Sequence, residues 1–271
     1  MKTLTFWKMN GAGNDFVCVD NRRRALRFSS KQITRLCQRQ TGVGADGLLL
    51  LETTPKGKGD FRMRYYNADG SEASMCGNGA RCFAKFARQQ TGWKKTSMKL
   101  LTRAGLIEAE FVGENVRIQL TSPSSPFLNQ PIRLTRGVAI VHFIDTGVPH
   151  AVVFVDDVEH FPVEEVGREL RYHQNFKPQG TNANFAQVLR PRVLRLRTYE
   201  RGVEGETLAC GTGVTAASLI AHLVHGFSSP IKVTTQGGDT LVVHFKKSGD
   251  QFQDVTLLGP AEVTFKGEYN V

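Results

Sequence analysis

The stretch MCGNGARCFAKFA at residues 75–87 sets a cysteine and two glycines directly before an apolar, helix-like run, and ACGTGVTAASLIA at residues 209–221 does so again. A helix N-terminus carries unpaired backbone N–H groups and a partial positive charge, and both favour an anion placed there. Gly77, Gly79, Gly211 and Gly213 would let the backbone approach a bound group closely. Two species could profit. One is the cysteine itself, since a thiol with an ordinary pKa of about 8.5 becomes more acidic at a helix start. The other is the carboxylate of a ligand held by the same N–H groups. A cysteine beside a helix is commonly just a small core residue, and Cys18, Cys37 and Cys82 are read that way. Cys76 and Cys210 differ, because each opens a C-G-x-G sequence at the same point of its segment. Two thiols serving one pocket suit a reaction in which one removes a proton from a carbon and the other returns a proton to the opposite face. The product is the mirror configuration at that carbon.

Positioning such thiols requires a repeated scaffold, and the order of elements supplies one. LTFWKM and FVCVD read as short strands around the loop NGAGND, followed by a helix from Ser30 to about Gln40. TGVGADGLLLLE is a glycine-rich loop feeding a buried strand, and FRMRYYNADGSEASMCGNG is a strand ending in a polar loop before a helix at Ala80 to Gln89. β-rich segments then run to TSPSSPFLNQP at 121–131, whose prolines and serines mark it as a linker. Beyond it the pattern restarts. Strands are expected near VAIVHFIDTG and HAVVFVDD, a helix around 163–171, strands at NANFAQVL and VLRLRTYE, then a polar loop and helix within 200–225. The helix VTAASLIAHLV is apolar on nearly every side, which fits a central helix wrapped by sheet. YYNADGSEASMCGNG and TYERGVEGETLACGTG occupy corresponding places, so an internal duplication is inferred. The first half is expected over residues 1–120, completed by about 259–271 and carrying Cys76; the second over 121–258, carrying Cys210.

Composition narrows the function classes. At 271 residues, with 40% hydrophobic and 22% charged side chains, the chain has the make-up of an ordinary globular protein able to bury one large or two medium cores. Five cysteines without any C-x-x-C spacing argue for reduced thiols rather than a disulfide framework or a zinc site. No segment approaches membrane-spanning length and the start lacks a continuous apolar stretch, so a cytoplasmic location with no membrane partner is expected. The net charge of +10 invites a nucleic-acid reading, best supported by NRRRALR at residues 21–27, but no stacking aromatics interleave these arginines. A solvated basic loop is the reading, and no nucleic-acid partner is expected.

Taken together, KMNGAGNDF (8–16), TGVGADGLL (41–49), YNADGSEASMCGNGARCFA (66–84), GVPHAV (147–152), TNANF (181–185) and TYERGVEGETLACGTG (198–213) resemble the diaminopimelate epimerase family across nearly the whole chain. The resemblance implies an α/β (α+β) fold of two pseudo-symmetric halves, each a β-sheet wrapped around a central helix, with the active site in the cleft between them. It implies an isomerase interconverting LL- and meso-2,6-diaminopimelate for lysine and peptidoglycan precursors, with no cofactor and no metal. Position by position it makes Cys76 and Cys210 the acid–base pair, and Gly77, Asn78, Gly211 and Thr212 the cradle of the reacting carboxylate. Asn14, Asn67, Asn182, Glu200 and Arg201 match the substrate-binding set, and His150 and Glu200 the positions that tune the thiols. The partner implied is the small-molecule substrate, with a homodimer left open. Two positions depart from the pattern: Gly47, where some members have Gln, and Val148, where many have Asn. The second removes a polar contact, so modest affinity and slow racemisation of other amino acids, glutamate first, are expected. Three alternatives stay open at this point: a proline racemase-like enzyme or other isomerase of the same fold, a thiol–disulfide redox sensor, and a basic nucleic-acid-binding protein.

Overall fold

The computed structural model describes residues 3–270. The chain forms two compact units, Met1–Gln119 with Gly259–Val271, and Leu120–Leu258. In chain order the first unit contributes β1 (Thr3–Gly11), β2 (Asn14–Asp20), α1 (Ser30–Cys37), β3 (Gly47–Glu52), β4 (Phe61–Asn67), β5 (Glu72–Ala73), α2 (Gly77–Thr91), β6 (Ser97–Thr102), β7 (Gly105–Val112) and β8 (Asn115–Gln119). The second contributes β9 (Phe127–Leu134), β10 (Gly137–Asp145), β11 (Pro149–Phe154), α3 (Val163–Tyr172), β12 (Asn182–Arg190), β13 (Val193–Glu200), β14 (Gly205–Thr207), α4 (Gly211–His225), β15 (Ile231–Thr234), β16 (Thr240–Ser248) and β17 (Gln251–Gly259). The chain ends in β18 (Glu262–Asn270).

Strand pairing in the two units follows one plan. In the first, β18, β1 and β2 are antiparallel, β2 runs parallel to β3 across α1, β3, β4 and β5 are antiparallel, β4 runs parallel to β6 across α2, and β6, β7 and β8 are antiparallel. In the second, β9, β10 and β11 are antiparallel, β11 runs parallel to β12 across α3, β12, β13 and β14 are antiparallel, β13 runs parallel to β15 across α4, and β15, β16 and β17 are antiparallel. The C-terminal strand therefore occupies in the first unit the place that β9 holds in the second. This explains why the end of the chain returns to the beginning.

The helices that matter most are α2 and α4. Each is 15 residues long, opens after a cysteine and closes on a left-handed glycine, Gly92 (φ 63°) or Gly226 (φ 70°). Glycine tolerates that conformation and lets the helix end without strain. In α4 nine consecutive residues, Gly213–Ala221, are buried, and strands β10–β13, β15 and β16 all pack on it. The helix is thus enclosed by its own sheet, as its all-round apolar sequence requires.

Several boundaries differ from the sequence reading; helix α2, for one, runs from Gly77 to Thr91 where Ala80 to Gln89 was expected. The loop NGAGND shrinks to a two-residue turn, Ala12–Gly13, because Asn10, Gly11, Asn14 and Asp15 pair across the hairpin. Helix α1, opened by a Ser29/Gln32 capping box, stops at Cys37 rather than near Gln40. Its last carbonyls are taken by the following loop, with Val43 and Gly44 N–H donating to Leu36 and Ala45 N–H to Cys37. The expected linker 121–131 is irregular only to residue 126, since Phe127–Leu134 pairs antiparallel with β10 in spite of Pro131.

Candidate active site

In the first unit the backbone of Cys76 is extended (φ −143°, ψ 123°) and its Sγ accepts a hydrogen bond from Gly79 N–H at 3.4 Å. A thiol here fills the place that a Ser, Thr, Asp or Asn oxygen usually takes at a helix start. The earlier N–H groups of the turn have no partner within the helix, and these belong to Gly77 and Asn78. A methyl group built on Gly77 would meet nothing within 4 Å, so packing does not explain the glycine. Close approach of a ligand would.

Behind this turn runs a directional chain of polar groups. Arg81, fully buried on α2, donates from Nη2 to Asn78 Oδ1 (2.8 Å) and Gly11 O (3.1 Å), and from Nε to Pro260 O (3.1 Å). Asn78 Nδ2 donates to Asn14 Oδ1 at 2.7 Å, and Asn14 Nδ2 to Asp46 Oδ2 at 2.9 Å. Asp46 and Asp15 are joined by Arg39, while Lys8 pairs with Asp15 at 2.8 Å and donates to Gly44 O. Burial raises the Asp15 carboxyl, but hydrogen bonds and charge from Arg39 and Lys8 outweigh it and hold the group below its ordinary value. Asn67 closes its own turn: its Nδ2 donates to Ser71 Oγ at 3.1 Å and its carbonyl accepts from Gly70 N–H. Opposite it in the ladder, Gly47 has a packing reason, since a methyl group there would lie 2.3 Å from Tyr66 O.

In the second unit Cys210 also precedes its helix in extended backbone (φ −121°, ψ 106°), but its sulfur makes no capping bond and lies 3.4 Å from Thr212 Oγ1. Thr146 Oγ1 donates to Thr212 O at 3.1 Å, tying the turn to the loop after β10. Asn182 Nδ2 donates to Pro149 O and its Oδ1 accepts from Arg201 N–H, both at 2.9 Å, so this amide staples the start of β11 to the end of β13. Glu200 accepts from Thr207 Oγ1 at 3.0 Å. The Arg201 guanidinium donates to Gln179 O at 3.2 Å and forms no ion pair among the described residues. It can therefore take a carboxylate from outside the protein. His150 is fully buried, and burial, reinforced by the Arg201 charge, pushes its pKa down to about 3. At neutral pH it is an uncharged ring.

The remaining cysteines differ. Burial raises the Cys18 thiol well above its ordinary value and pushes Cys37 up to about 11 and Cys82 up to about 12. They are thiols of the core. Among the described residues no group of three His, Cys, Asp or Glu side chains could hold a metal ion, and no helix is long and apolar enough to cross a membrane.

A sequence profile described as diaminopimelate epimerase matches residues 6–125 and 142–264. The chain belongs to the diaminopimelate epimerase family. It is 41% identical over 276 residues to a protein of Aquifex aeolicus named diaminopimelate epimerase, covering 97% of each chain. It is 42% identical over 263 residues to one of Chlorobaculum tepidum, covering 96% of this chain and 98% of that one. Among solved structures it is similar to a phenazine biosynthesis protein of the PhzF family from Bacillus anthracis, with a TM-score of 0.76 and 100% of each chain covered but 16% identity. That likeness is one of fold.

Within the first unit the fold gathers Cys76, Gly77, Asn78 and Asn14, and places Asn67 at the end of β4 opposite Gly47. Within the second it links Thr212 to Cys210, and Asn182 to Arg201, with His150 level with Asn182 in the parallel ladder. Sequence reasoning missed Arg81 and Asp46, which bond Asn78 and Asn14, and Asn184, whose Nδ2 lies 3.1 Å from His150 Nδ1. Two signals were present. Arg81 is the one charged residue in the small and apolar stretch GARCFA (79–84), and Asn184 follows Asn182 at the two-residue spacing that puts both on one face of a strand.

Proposed function

We propose that this chain is a cofactor-independent isomerase that epimerises LL-2,6-diaminopimelate to meso-2,6-diaminopimelate, an intermediate for lysine and peptidoglycan precursors. The observation that carries the reading is the repeated helix start: a cysteine at the cap, then small residues and free N–H groups, in both units of a member of this family. Inversion at a carbon needs two proton carriers, one for each face. Cys76 and Cys210 take these roles. Removing the α-proton pushes charge onto the adjacent carboxylate, and the N–H groups of Gly77, Asn78, Gly211 and Thr212 are the donors that stabilise it. The Gly79 N–H on Cys76 and the Thr212 hydroxyl beside Cys210 stabilise each sulfur when it carries charge. Arg201 grips the distant carboxylate, with Asn14, Asn67, Asn182 and Glu200 completing recognition.

The test is proton–deuterium exchange on LL-diaminopimelate in heavy water. The α-proton should wash out as the meso product accumulates. Cys76→Ala and Cys210→Ala should each fold and lose epimerisation. Near-normal turnover in either variant would refute the two-carrier mechanism, and absence of exchange in the wild type would refute the substrate.

A further inference from the structure

His150 holds a fully buried ring whose Nε2 has no hydrogen-bond partner among the described residues. Its Nδ1 lies 3.1 Å from Asn184 Nδ2. The neighbouring contacts determine where the ring carries its proton. Asn184 Nδ2 also lies 2.9 Å from the carbonyl of Ala151, and a carbonyl only accepts, so the amide nitrogen is the atom that faces it. The other end of the amide, Oδ1, accepts from Thr198 Oγ1 at 3.0 Å. With the amide so oriented, its nitrogen donates to His150 Nδ1, and a neutral ring that accepts at Nδ1 carries its hydrogen on Nε2. Asn184 also touches the head of α4: a methyl group built on Gly213, in the first turn after Cys210, would lie 2.2 Å from Asn184 Oδ1. Only glycine there leaves room for this amide.

We propose that Asn184 is a positioning residue that holds His150 as the neutral Nε2–H tautomer, so that the ring serves the reaction as a fixed hydrogen-bond donor and not as a base. A buried donor without a protein partner is unfavourable in the resting protein, and an acceptor arriving with the substrate relieves it. The fall in the His150 pKa caused by burial agrees with a ring that stays uncharged. The proposal rests on the epimerase reading for its consequence in catalysis, but its structural part can be tested without substrate.

The experiment is two-bond proton–nitrogen NMR of the histidine rings in labelled protein, with His150→Gln to assign the signal. Wild type should show His150 protonated at Nε2 alone at pH 7, and diaminopimelate should shift that resonance. In Asn184→Asp the acceptor oxygen facing the ring should move the proton to Nδ1, and kcat should fall about ten- to a hundredfold, the value of one hydrogen bond to a charged group, with a smaller change in KM. An Nδ1–H ring in the wild type would overturn the assignment even if the variant fails to fold. A variant with a switched ring and unchanged kcat would overturn the role in the reaction. Absence of turnover in the wild type would refute the epimerase reading and with it that role, while the tautomer, read in unliganded protein, would still decide whether Asn184 sets the ring.

Discussion

Arg81→Met tests whether a buried cation sets the donor pattern of the first unit. Because a guanidinium only donates, Asn78 must face Arg81 with its oxygen, which turns its Nδ2 toward Asn14 and the Asn14 Nδ2 toward Asp46. Methionine has a similar length and no donors. The substitution leaves Gly11 O, Pro260 O and Asn78 Oδ1 without the donors they now have. Each buried acceptor so abandoned costs about 1–3 kcal/mol. Relief from burying the guanidinium offsets part of this sum. A net loss of about 2–4 kcal/mol follows, which moves the urea midpoint down by about 1 M or more for a typical slope. Asn78, released from its fixed orientation, should also raise KM for diaminopimelate more than it lowers kcat. Urea unfolding followed by circular dichroism, with steady-state epimerisation, reads both. A variant with the wild-type midpoint and KM would show that Arg81 neither holds the Pro260 segment nor orients the two amides.

Gly77→Ala should keep the wild-type melting temperature, because its methyl group meets nothing, yet lose activity if the glycine serves ligand approach; unchanged kcat/KM would remove Gly77 from the site. Acid should destabilise the protein through His150. With a folded pKa of about 3 against an ordinary 6.5, the unfolded chain binds the extra proton, so stability falls as pH drops from about 6.5 toward 3, by about 1.4 kcal/mol per unit. His150→Gln should flatten that slope, and urea midpoints as steep in the variant as in wild type would refute the burial argument. Iodoacetamide at pH 8 should label Cys76, the half-buried cysteine, before Cys18, Cys37 and Cys82, as peptide mapping would show; early labelling of the core thiols would contradict their raised pKa values. Val148→Asn should tighten diaminopimelate binding about tenfold and suppress racemisation of L-glutamate by polarimetry; unchanged affinity and scope would show that Val148 is only a packing residue.

The two cysteine segments were more legible in the sequence than the strands that frame them. Cysteine, glycine and apolar helix lie adjacent in the chain, so their relation could be read locally, although α2 opens at Gly77, directly after its cysteine, and not at Ala80 as expected; α4 opens likewise at Gly211. The strand character of Phe127–Leu134 was hidden by the prolines around it, because what makes it a strand is pairing with β10, a contact that composition does not encode. Strands β15–β18 went unread for the same reason. Arg81 and Asn184 were missed because a polar residue in an apolar run is legible as an anomaly, but its partners, Pro260 and His150, lie far along the chain.

Duplication preserved the scaffold and let the two sites diverge. Phe16 and Gly47 sit level in the parallel ladder of the first unit where His150 and Asn182 sit level in the second, and Asn67 ends the strand that Glu200 ends in the repeat. One row is apolar and small, the other polar and able to donate. The sulfurs differ in step: Cys76 takes a backbone N–H at its own cap, whereas Cys210 has a hydroxyl beside it. The supports differ too, since a buried cation orients Asn78 and Asn14 while an uncharged amide orients His150. In the proposed mechanism each sulfur must both take and return a proton, and divergence on a repeated frame gives each its own contacts for that task without changing the fold.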